Sequence, residues 1–563
     1  MPKAAELVCD VLIEAGVDHV FGIPGGGTLP VWDALVDRKD KIRCVLARHE
    51  GGAACMADAY GRLAGKPAVL MGQGLWIGTS GGYGIVESYL AGVPMVVLCD
   101  ASDYMGLSQF GPYQNATGEY GAVDLVSMMR SMTKYTTFAA DGSELVHGAR
   151  LAVQHATTGR PGPACVLFRF TAPDTPMKLE EIRPKLYATE GHLRVSPPSI
   201  SIPDAERIAA LLGGAKAPLL IAGAGVHRSR AYAEVQELAE LLGMPVATTY
   251  MGKSSIPETH DLSVGTIGVI GQKIANQKIR EADVILAVGT CLAPDNTKML
   301  SPKFIEAQRQ KIIQIDVEPR NMGWTYPIEI GVTSDARLAL REILRILKAQ
   351  KLDPDAKRRV IELRLAKAEA KFFADDALRS DQVPIAPERL VREVTDAVGE
   401  DDLVVLDAGN NRLWMAHYFQ SKKAGQVVAP GGAAGVGYSL AASLAAQMAR
   451  PKSRVVCVCG DGGMMMHLYV LEMAKEYGLP VTYVVMNNAC LGNVMDFQPE
   501  GRRIASKYPA PDFARIAQGF GVEGVRVEEP GALAAALRRA LGTEAPVVVD
   551  VRIDDYPHFR MRG

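Results

Sequence analysis

The sequence lacks a surplus of either charge. It carries 61 Lys+Arg against 63 Asp+Glu, a formal net charge of −2, which gives no electrostatic basis for holding nucleic acid or an anionic membrane. It also lacks long apolar runs: none approaches the roughly 18 residues a membrane span needs. The opening stretch MPKAAELVCDVLIEAG has the spacing of an amphipathic helix, without the charged start, apolar centre and small-residue cleavage site of a signal peptide. Nine cysteines are an odd number and have no disulfide-like spacing. Cys9, Cys99, Cys165 and Cys457 lie inside apolar stretches, where a free thiol acts as a small hydrophobe. The expectation is a reduced, cytoplasmic protein. Cys457 and Cys459 alternate along one expected strand with no His or further Cys close by, which argues against a metal pair. The glycine-rich patches form no fixed-period repeat, which argues against a solenoid.

What is present is an alternation of short apolar runs and helical periods along 563 residues, 48% hydrophobic and 22% charged. That pattern predicts α/β structure with parallel sheets. Expected buried strands are PAVLMG (67–72), PMVVLCD (94–100), ACVLF (164–168), PLLIAG (218–223), DVILAVG (283–289), KIIQID (311–316), LVVLD (403–407), RVVCVCG (454–460), PVTYVVMNN (480–488) and PVVVDVRI (546–553). A further strand is expected in IRCVLARH (42–49). Residues 171–203 are rich in proline and charge and read as a linker. So do residues 350–386, with a solvated helix expected over 355–380. Cutting at these linkers predicts three doubly wound domains, 1–175, 200–350 and 385–555, each of ordinary size.

The stretch GDGGMMMHLYVLEMAKEYGLPVTYVVMNN (460–488) carries the first chemical signal. A strand ends at Gly460-Asp461-Gly462, a helix suits 464–477, and a second strand ends at Asn487-Asn488. Such a crossover sets two parallel strands in one sheet, and ligands of open α/β sheets bind at the carboxyl ends of the strands. If the strands are neighbours, Asp461 and Asn488 bring two hard oxygens to one point, which suits Mg²⁺ with a phosphate-bearing partner. Gly462 and Gly463, at a helix start, offer N–H groups to a diphosphate. Gly-Asp-Gly alone, or Asn-Asn alone, is a turn; the combination is the signal.

That combination resembles the signature of the thiamine-diphosphate-dependent enzymes. VFGIPGGGTLPVWDAL (20–35) and ARHEGGAACMADAYGR (47–62) look like the pyrimidine-binding domain of acetolactate synthase and its relatives. VPMVV (93–97) and NNACLGNVMDFQ (487–498) are also similar to that branch. The likeness runs over essentially the whole chain and implies a pyrimidine-binding, a central and a diphosphate-binding domain. It further implies that Asp461, Asn488 and the carbonyl of Cys490 hold Mg²⁺. Asn410 and Asn411 in DAGNNRLW (407–414) would meet the diphosphate, with Gly462 and Gly463. The carbonyl of Ala434 would accept from the cofactor's amino group, and Val436 would be the apolar wedge that bends the cofactor; many relatives carry a larger side chain there. Glu50 matches the family's glutamate, the acid hydrogen-bonded to the pyrimidine ring. Its other reading is a helix-start acid.

The activity implied is carbon–carbon bond formation or cleavage on a 2-oxo acid or 2-hydroxyketone, of the acetolactate synthase type. A simple 2-oxo acid decarboxylase and a diketone-cleaving relative are the alternatives. Gln73 and Gln114 are the expected catalytic groups beside Glu50, and Gly26, Gly27, Trp76, Lys134, Asn493 and Phe497 the expected substrate pocket. GQGLWIGTSGGYG (72–84), GPYQNATGEYGAVD (111–124) and LGNVMDF (491–497) depart from acetolactate synthase. AVGTCLAPDN (287–296) lacks the arginine of flavin-binding relatives, so FAD is not expected. The short end DDYPHFRMRG argues against a coenzyme A substrate. The likeness implies a homodimer or homotetramer with active sites at the subunit interface, and a small-molecule substrate.

Overall fold

The protein is described here by a computed structural model covering residues 1–103, 113–119, 121–187, 195–350 and 355–555. Parts of both expected linkers, residues 111, 112 and 120 of the segment at 111–124, and most of the final ten residues therefore lie outside the described residues. Two compact bodies form. One comprises Met1–Ser196 with Pro430–Lys452 and His467–Leu479; the other comprises Pro197–Ala429, Ser453–Met466 and Pro480–Gly563.

The first body holds a parallel six-stranded sheet made of β1 (His19–Gly22), β2 (Arg43–Leu46), β3 (Ala68–Gly72), β4 (Met95–Asp100), β5 (Tyr135–Ala139) and β6 (Pro163–Phe168). The order is β2-β1-β3-β4-β6-β5, all neighbours parallel. Every residue of β3, β4 and β6 is buried, as expected where helices cover both faces of a parallel sheet. Two small-residue helices pack on each other, Glu50–Ala64 and Tyr438–Ala449. Their alanines, glycines and serines let the backbones approach closely, and nearly all of their residues are buried.

The second body holds two more parallel sheets. β7 (Pro218–Ala222), β8 (Val246–Thr248), β9 (Ser263–Thr266), β10 (Val284–Val288), β11 (Lys311–Asp316) and β12 (Ile330–Thr333) run in the order β12-β11-β10-β7-β8-β9. β13 (Leu403–Leu406), β14 (Val427–Val428), β15 (Val455–Gly460), β16 (Val481–Asn487), β17 (Glu523–Val527) and β18 (Val547–Arg552) run in the order β14-β13-β15-β16-β18-β17. Each sheet has its own apolar core. The fold is α/β, three doubly wound parallel sheets, as the alternating pattern predicts. No helix among the described residues is long and apolar enough to cross a membrane.

Two local expectations are corrected. The helix expected over 355–380 ends at Glu369 and is followed by a short 3-10 turn, Asp376–Arg379. Lys371 and Phe373, both at φ 51°, take the left-handed conformation that stops a helix. Leu363 of that helix is buried in the core of the second sheet, so the helix is not wholly solvated. The helix expected over 464–477 is two helices, Asp461–Met466 and Val470–Glu476. Between them the imidazole of His467 pairs with the hydroxyl of Tyr469, 2.6 Å apart.

Candidate active site

In the second body, β13, β15 and β16 are adjacent, and their carboxyl ends release Asn410, Asp461 and Asn488 side by side. Asp461 is 2% exposed. Its Oδ1 accepts from the Tyr508 hydroxyl at 2.7 Å and from Gly462 N–H at 2.8 Å, and its Oδ2 accepts from Ala489 N–H at 2.6 Å. Burial pushes its carboxyl up from the ordinary value, and these donors only partly offset that. Ala489, straight after Asn488, sits at φ 59°, a strained conformation for alanine. The Cys490 thiol is pushed up to about 12, chiefly by burial, so it stays protonated and its carbonyl is the hard group it can offer.

The same corner is kept bare by glycines. A Cβ on Gly492 would come within 3.0 Å of Asn410 Nδ2 and 3.3 Å of Asn488 Nδ2; one on Gly462 would come within 2.9 Å of Leu491 Cδ2. Asn410 Nδ2 donates to Asp496 at 2.8 Å and Asn411 Nδ2 to the Ala408 carbonyl at 2.6 Å. The Oδ1 atoms of both asparagines are buried without a hydrogen-bond partner. A carboxylate, amide oxygens and a carbonyl around a glycine-lined corner are the donor set for a hard cation and its diphosphate. The residues present fit a magnesium-bound diphosphate.

In the first body, Glu50 opens the helix Glu50–Ala64 and is half-buried. His49 caps that helix, accepting from Gly51 N–H at 3.1 Å. The next turn is shaped by Gly52, where a Cβ would lie 2.1 Å from the Tyr469 hydroxyl oxygen. The segment carrying Ala434 and Val436 lies in the same body. Ala434 has φ 50°, and the Val436 carbonyl accepts from the Tyr83 hydroxyl at 2.7 Å.

The carboxyl ends of β1, β3 and β4 bring together most of the expected substrate-side groups of this body. Gln73 Nε2 donates to Gln114 Oε1 at 2.9 Å and lies 3.4 Å from the Ser102 hydroxyl. Gly26 and Gly27 rest on Asp100: a Cβ on Gly26 would lie 2.9 Å from its Oδ1, and one on Gly27 3.0 Å from its Cβ. Ser102 (φ 50°) and Gln114 (φ 51°) are both left-handed. Trp76 is 42% exposed on the short helix Gly74–Thr79 that follows. Lys134 is not brought to this group. It precedes β5, at the opposite end of that strand from its carboxyl end, and its ammonium donates to the Thr158 carbonyl. Asn493 is half-buried on the helix Gly492–Met495, and Phe497 just beyond is 66% exposed.

Sequence reasoning missed Tyr508, Ser102, Asp100, Tyr83 and Glu87. Tyr508 lies 47 residues from the aspartate it touches, with nothing in its neighbourhood to mark it. Glu87 did leave a trace: a lone acid in the apolar helical stretch GIVESYLAG.

Three family models match the chain: the thiamine pyrophosphate enzyme N-terminal binding domain over residues 2–124, the central domain over 205–343, and the C-terminal binding domain over 407–551. The chain belongs to the thiamine pyrophosphate enzyme family. Within that family its likeness is to acetolactate synthase large subunits. It is 30% identical over 574 residues to a probable acetolactate synthase large subunit of Methanococcus aeolicus, covering 98% of this chain and 92% of the relative. It is 29% identical over 578 residues to the isozyme 3 large subunit of Escherichia coli (strain K12), covering 100% and 97%. Against the large subunit of Lactococcus lactis subsp. lactis (strain IL1403) the identity is 27% over 571 residues, covering 99% and 93%.

Proposed function

We propose that this chain is a thiamine-diphosphate- and Mg²⁺-dependent carboligase that takes an acyl unit from a 2-oxo acid and joins it to a second carbonyl compound. The reading is supported by three adjacent strand ends that carry Asp461, Asn488 and Asn410, the two asparagines closing on Gly492. Full-length likeness to proteins named as acetolactate synthases supports the carboligase outcome.

Bound thiamine diphosphate supplies the chemistry that lets an acyl carbon act as a nucleophile. This chain's residues do the rest. Asp461, Asn488 and the Cys490 carbonyl hold the metal. Asn410, Asn411 and the backbone at Gly462 and Gly463 receive the diphosphate. The Ala434 carbonyl would accept from the amino group of the pyrimidine, and Val436 would be the apolar side chain against which the cofactor rests. The Glu50 carboxyl holds a proton at the pyrimidine ring nitrogen. Gln73, Gln114 and the Ser102 hydroxyl are uncharged hydrogen-bonding groups suited to orienting a substrate carbonyl or hydroxyl. A homodimer or homotetramer, in which Glu50 serves the cofactor held by Asp461 of the partner subunit, belongs to the same cytoplasmic enzyme. FAD has no part in it.

The deciding experiment is incubation of the purified protein with thiamine diphosphate, Mg²⁺ and pyruvate, with products followed by proton NMR. Acetolactate is the expected product. Free acetaldehyde would overturn carboligation in favour of simple decarboxylation. Untouched pyruvate, with rapid deuterium exchange at the cofactor's C2, would show that the Gln73–Gln114 pocket selects a different donor.

A further inference from the structure

The helix Gly82–Ala91 turns one buried acid toward the segment that precedes the helix Tyr438–Ala449. Glu87 is 2% exposed. Its Oε1 accepts from Gly431 N–H at 3.0 Å and Gly432 N–H at 3.1 Å, and its Oε2 from Ala433 N–H and Ala434 N–H at 2.8 Å each. Four successive backbone donors thus close on one carboxylate. Such a run of N–H groups around an anion is a nest, and here the anion is built into the protein. Burial raises the carboxyl, but Arg62 and the backbone donors outweigh it and hold Glu87 below its ordinary value.

The acid is itself held. Arg62 donates to Glu87 Oε1 and to Asp58 Oδ2, both at 2.6 Å, and Asp58 accepts from the Tyr438 hydroxyl at 2.6 Å. Tyr438 is the first residue of the helix that the segment leads into, so the network grips both ends of the stretch. The same helix also sets the segment's distance. A Cβ on Gly432 would lie 2.6 Å from the Glu87 carbonyl oxygen, and one on Gly435 2.1 Å from the Tyr83 ring. Tyr83 then donates to the Val436 carbonyl at 2.7 Å. Every residue from Gly431 to Val436 is therefore fixed by a hydrogen bond or a close approach to the helix Gly82–Ala91.

We propose that Glu87 is a positioning residue: with Tyr83, it shapes the Gly431–Val436 backbone before any cofactor is present, so that the bend of the cofactor is set by this backbone more than by the side chain of Val436. Valine is a small wedge, and a wedge works only as well as the chain beneath it is held. The anchored backbone supplies that stiffness. The inference rests on the assignment of Ala434 and Val436 to the pyrimidine side of the cofactor. The pre-shaping itself is a property of the protein alone.

The first measurement is amide hydrogen exchange of the cofactor-free protein, wild type against Glu87→Gln, read at residues 431–434. Glutamine puts an NH₂ where two of the four donors need an acceptor. Loss of charge-assisted bonds of this kind predicts exchange faster by at least about tenfold at these amides. Protection elsewhere, including β3 and β4, should be retained. Unchanged exchange at 431–434 overturns the proposal. A general rise across the first body would make Glu87 a stabiliser of the fold only, which also overturns it.

The second measurement is deuterium exchange at C2 of bound thiamine diphosphate at saturating cofactor. Glu87→Gln should slow it more than Val436→Ala does, and Tyr83→Phe should slow it several-fold while leaving far-UV circular dichroism unchanged. Tyr83→Phe keeps the proposal testable if Glu87→Gln does not fold. Val436→Ala slowing exchange as much as Glu87→Gln, or Tyr83→Phe having no effect, would return the bend to the side chain and overturn the proposal. If wild type binds no thiamine diphosphate, the cofactor assignment fails, whatever the amides at 431–434 report.

Discussion

The Tyr508 hydroxyl donates to Asp461 Oδ1 across 2.7 Å, and Asp461 is thereby held at the carboxyl end of β15 by a residue outside the Gly460–Asn488 crossover. A carboxylate turned by a fixed donor offers its remaining lone pairs in one direction. Outer partners of this kind tune metal affinity. Tyr508→Phe is expected to weaken Mg²⁺ binding by roughly tenfold without unfolding the protein. Calorimetric titration of Mg²⁺ at fixed thiamine diphosphate reads it, and an unchanged half-saturation point would make the tyrosine a packing residue.

Removing Asp461 itself should do more. Asp461→Ala takes away the only carboxylate in the proposed metal set and is expected to abolish Mg²⁺-dependent binding of thiamine diphosphate. Equilibrium dialysis with and without Mg²⁺ checks this; retained metal-dependent binding would refute the assignment.

Glu50→Gln keeps the size of the side chain and the helix start but cannot hold the proton. Cofactor binding should persist while C2 deuterium exchange slows by on the order of a hundredfold or more. Quenched-flow NMR of the bound cofactor gives the rate, and exchange at the wild-type rate would remove Glu50 from proton handling.

Gly52→Ala tests packing beside Glu50. A methyl there would sit 2.1 Å from the Tyr469 hydroxyl oxygen, so the gain of about 1 kcal/mol in helix propensity is outweighed. Net destabilisation of about 1–3 kcal/mol is expected from overpacking. Tyr469→Phe removes the clashing oxygen, so the double variant should recover part of the loss in thermal unfolding. Equal loss in both would place the strain elsewhere.

Acid should weaken the fold through two histidines that burial keeps neutral. His417 and His467 are both pushed down to about 4, chiefly by burial. An unfolded histidine takes its proton near 6.5. Unfolded chains therefore bind protons that the folded protein refuses, and stability falls as pH drops from about 6.5 toward 4, having been at its full value above that window. Thermal unfolding against pH measures the slope, and His467→Gln should flatten it. A flat profile between pH 6.5 and 4.5 in wild type would contradict the neutral buried state.

The class of fold and the metal corner were legible because their signals are local. β3, β4, β10 and β15 are continuous apolar runs closed by glycine or aspartate, and burial on both faces demands that composition. Asp461 and Asn488 could be paired because a single crossover joins their strands, which pair in parallel. Of the strands that escaped notice, β5, β12 and β17 lie at sheet edges, whereas β1 and β8 are short interior strands. Tyr135–Ala139 is half-exposed along most of its length, and Glu523–Val527 mixes charge with valine, so neither carries the buried-strand pattern.

By itself the sequence determined that this chain folds as parallel α/β layers and that one aspartate and one asparagine stand at the ends of two strands joined by a single crossover; the pairing of those strands is seen in the structure. Strand burial and crossover handedness are dictated by residues close together in the chain. Only the tertiary structure decided which distant groups complete the site. Glu87 meets residues about 350 positions away, and Gln73 meets Gln114 through two left-handed turns. A hydrogen bond between remote residues leaves no period in the sequence; it exists only once the sheets have set their loops at one edge.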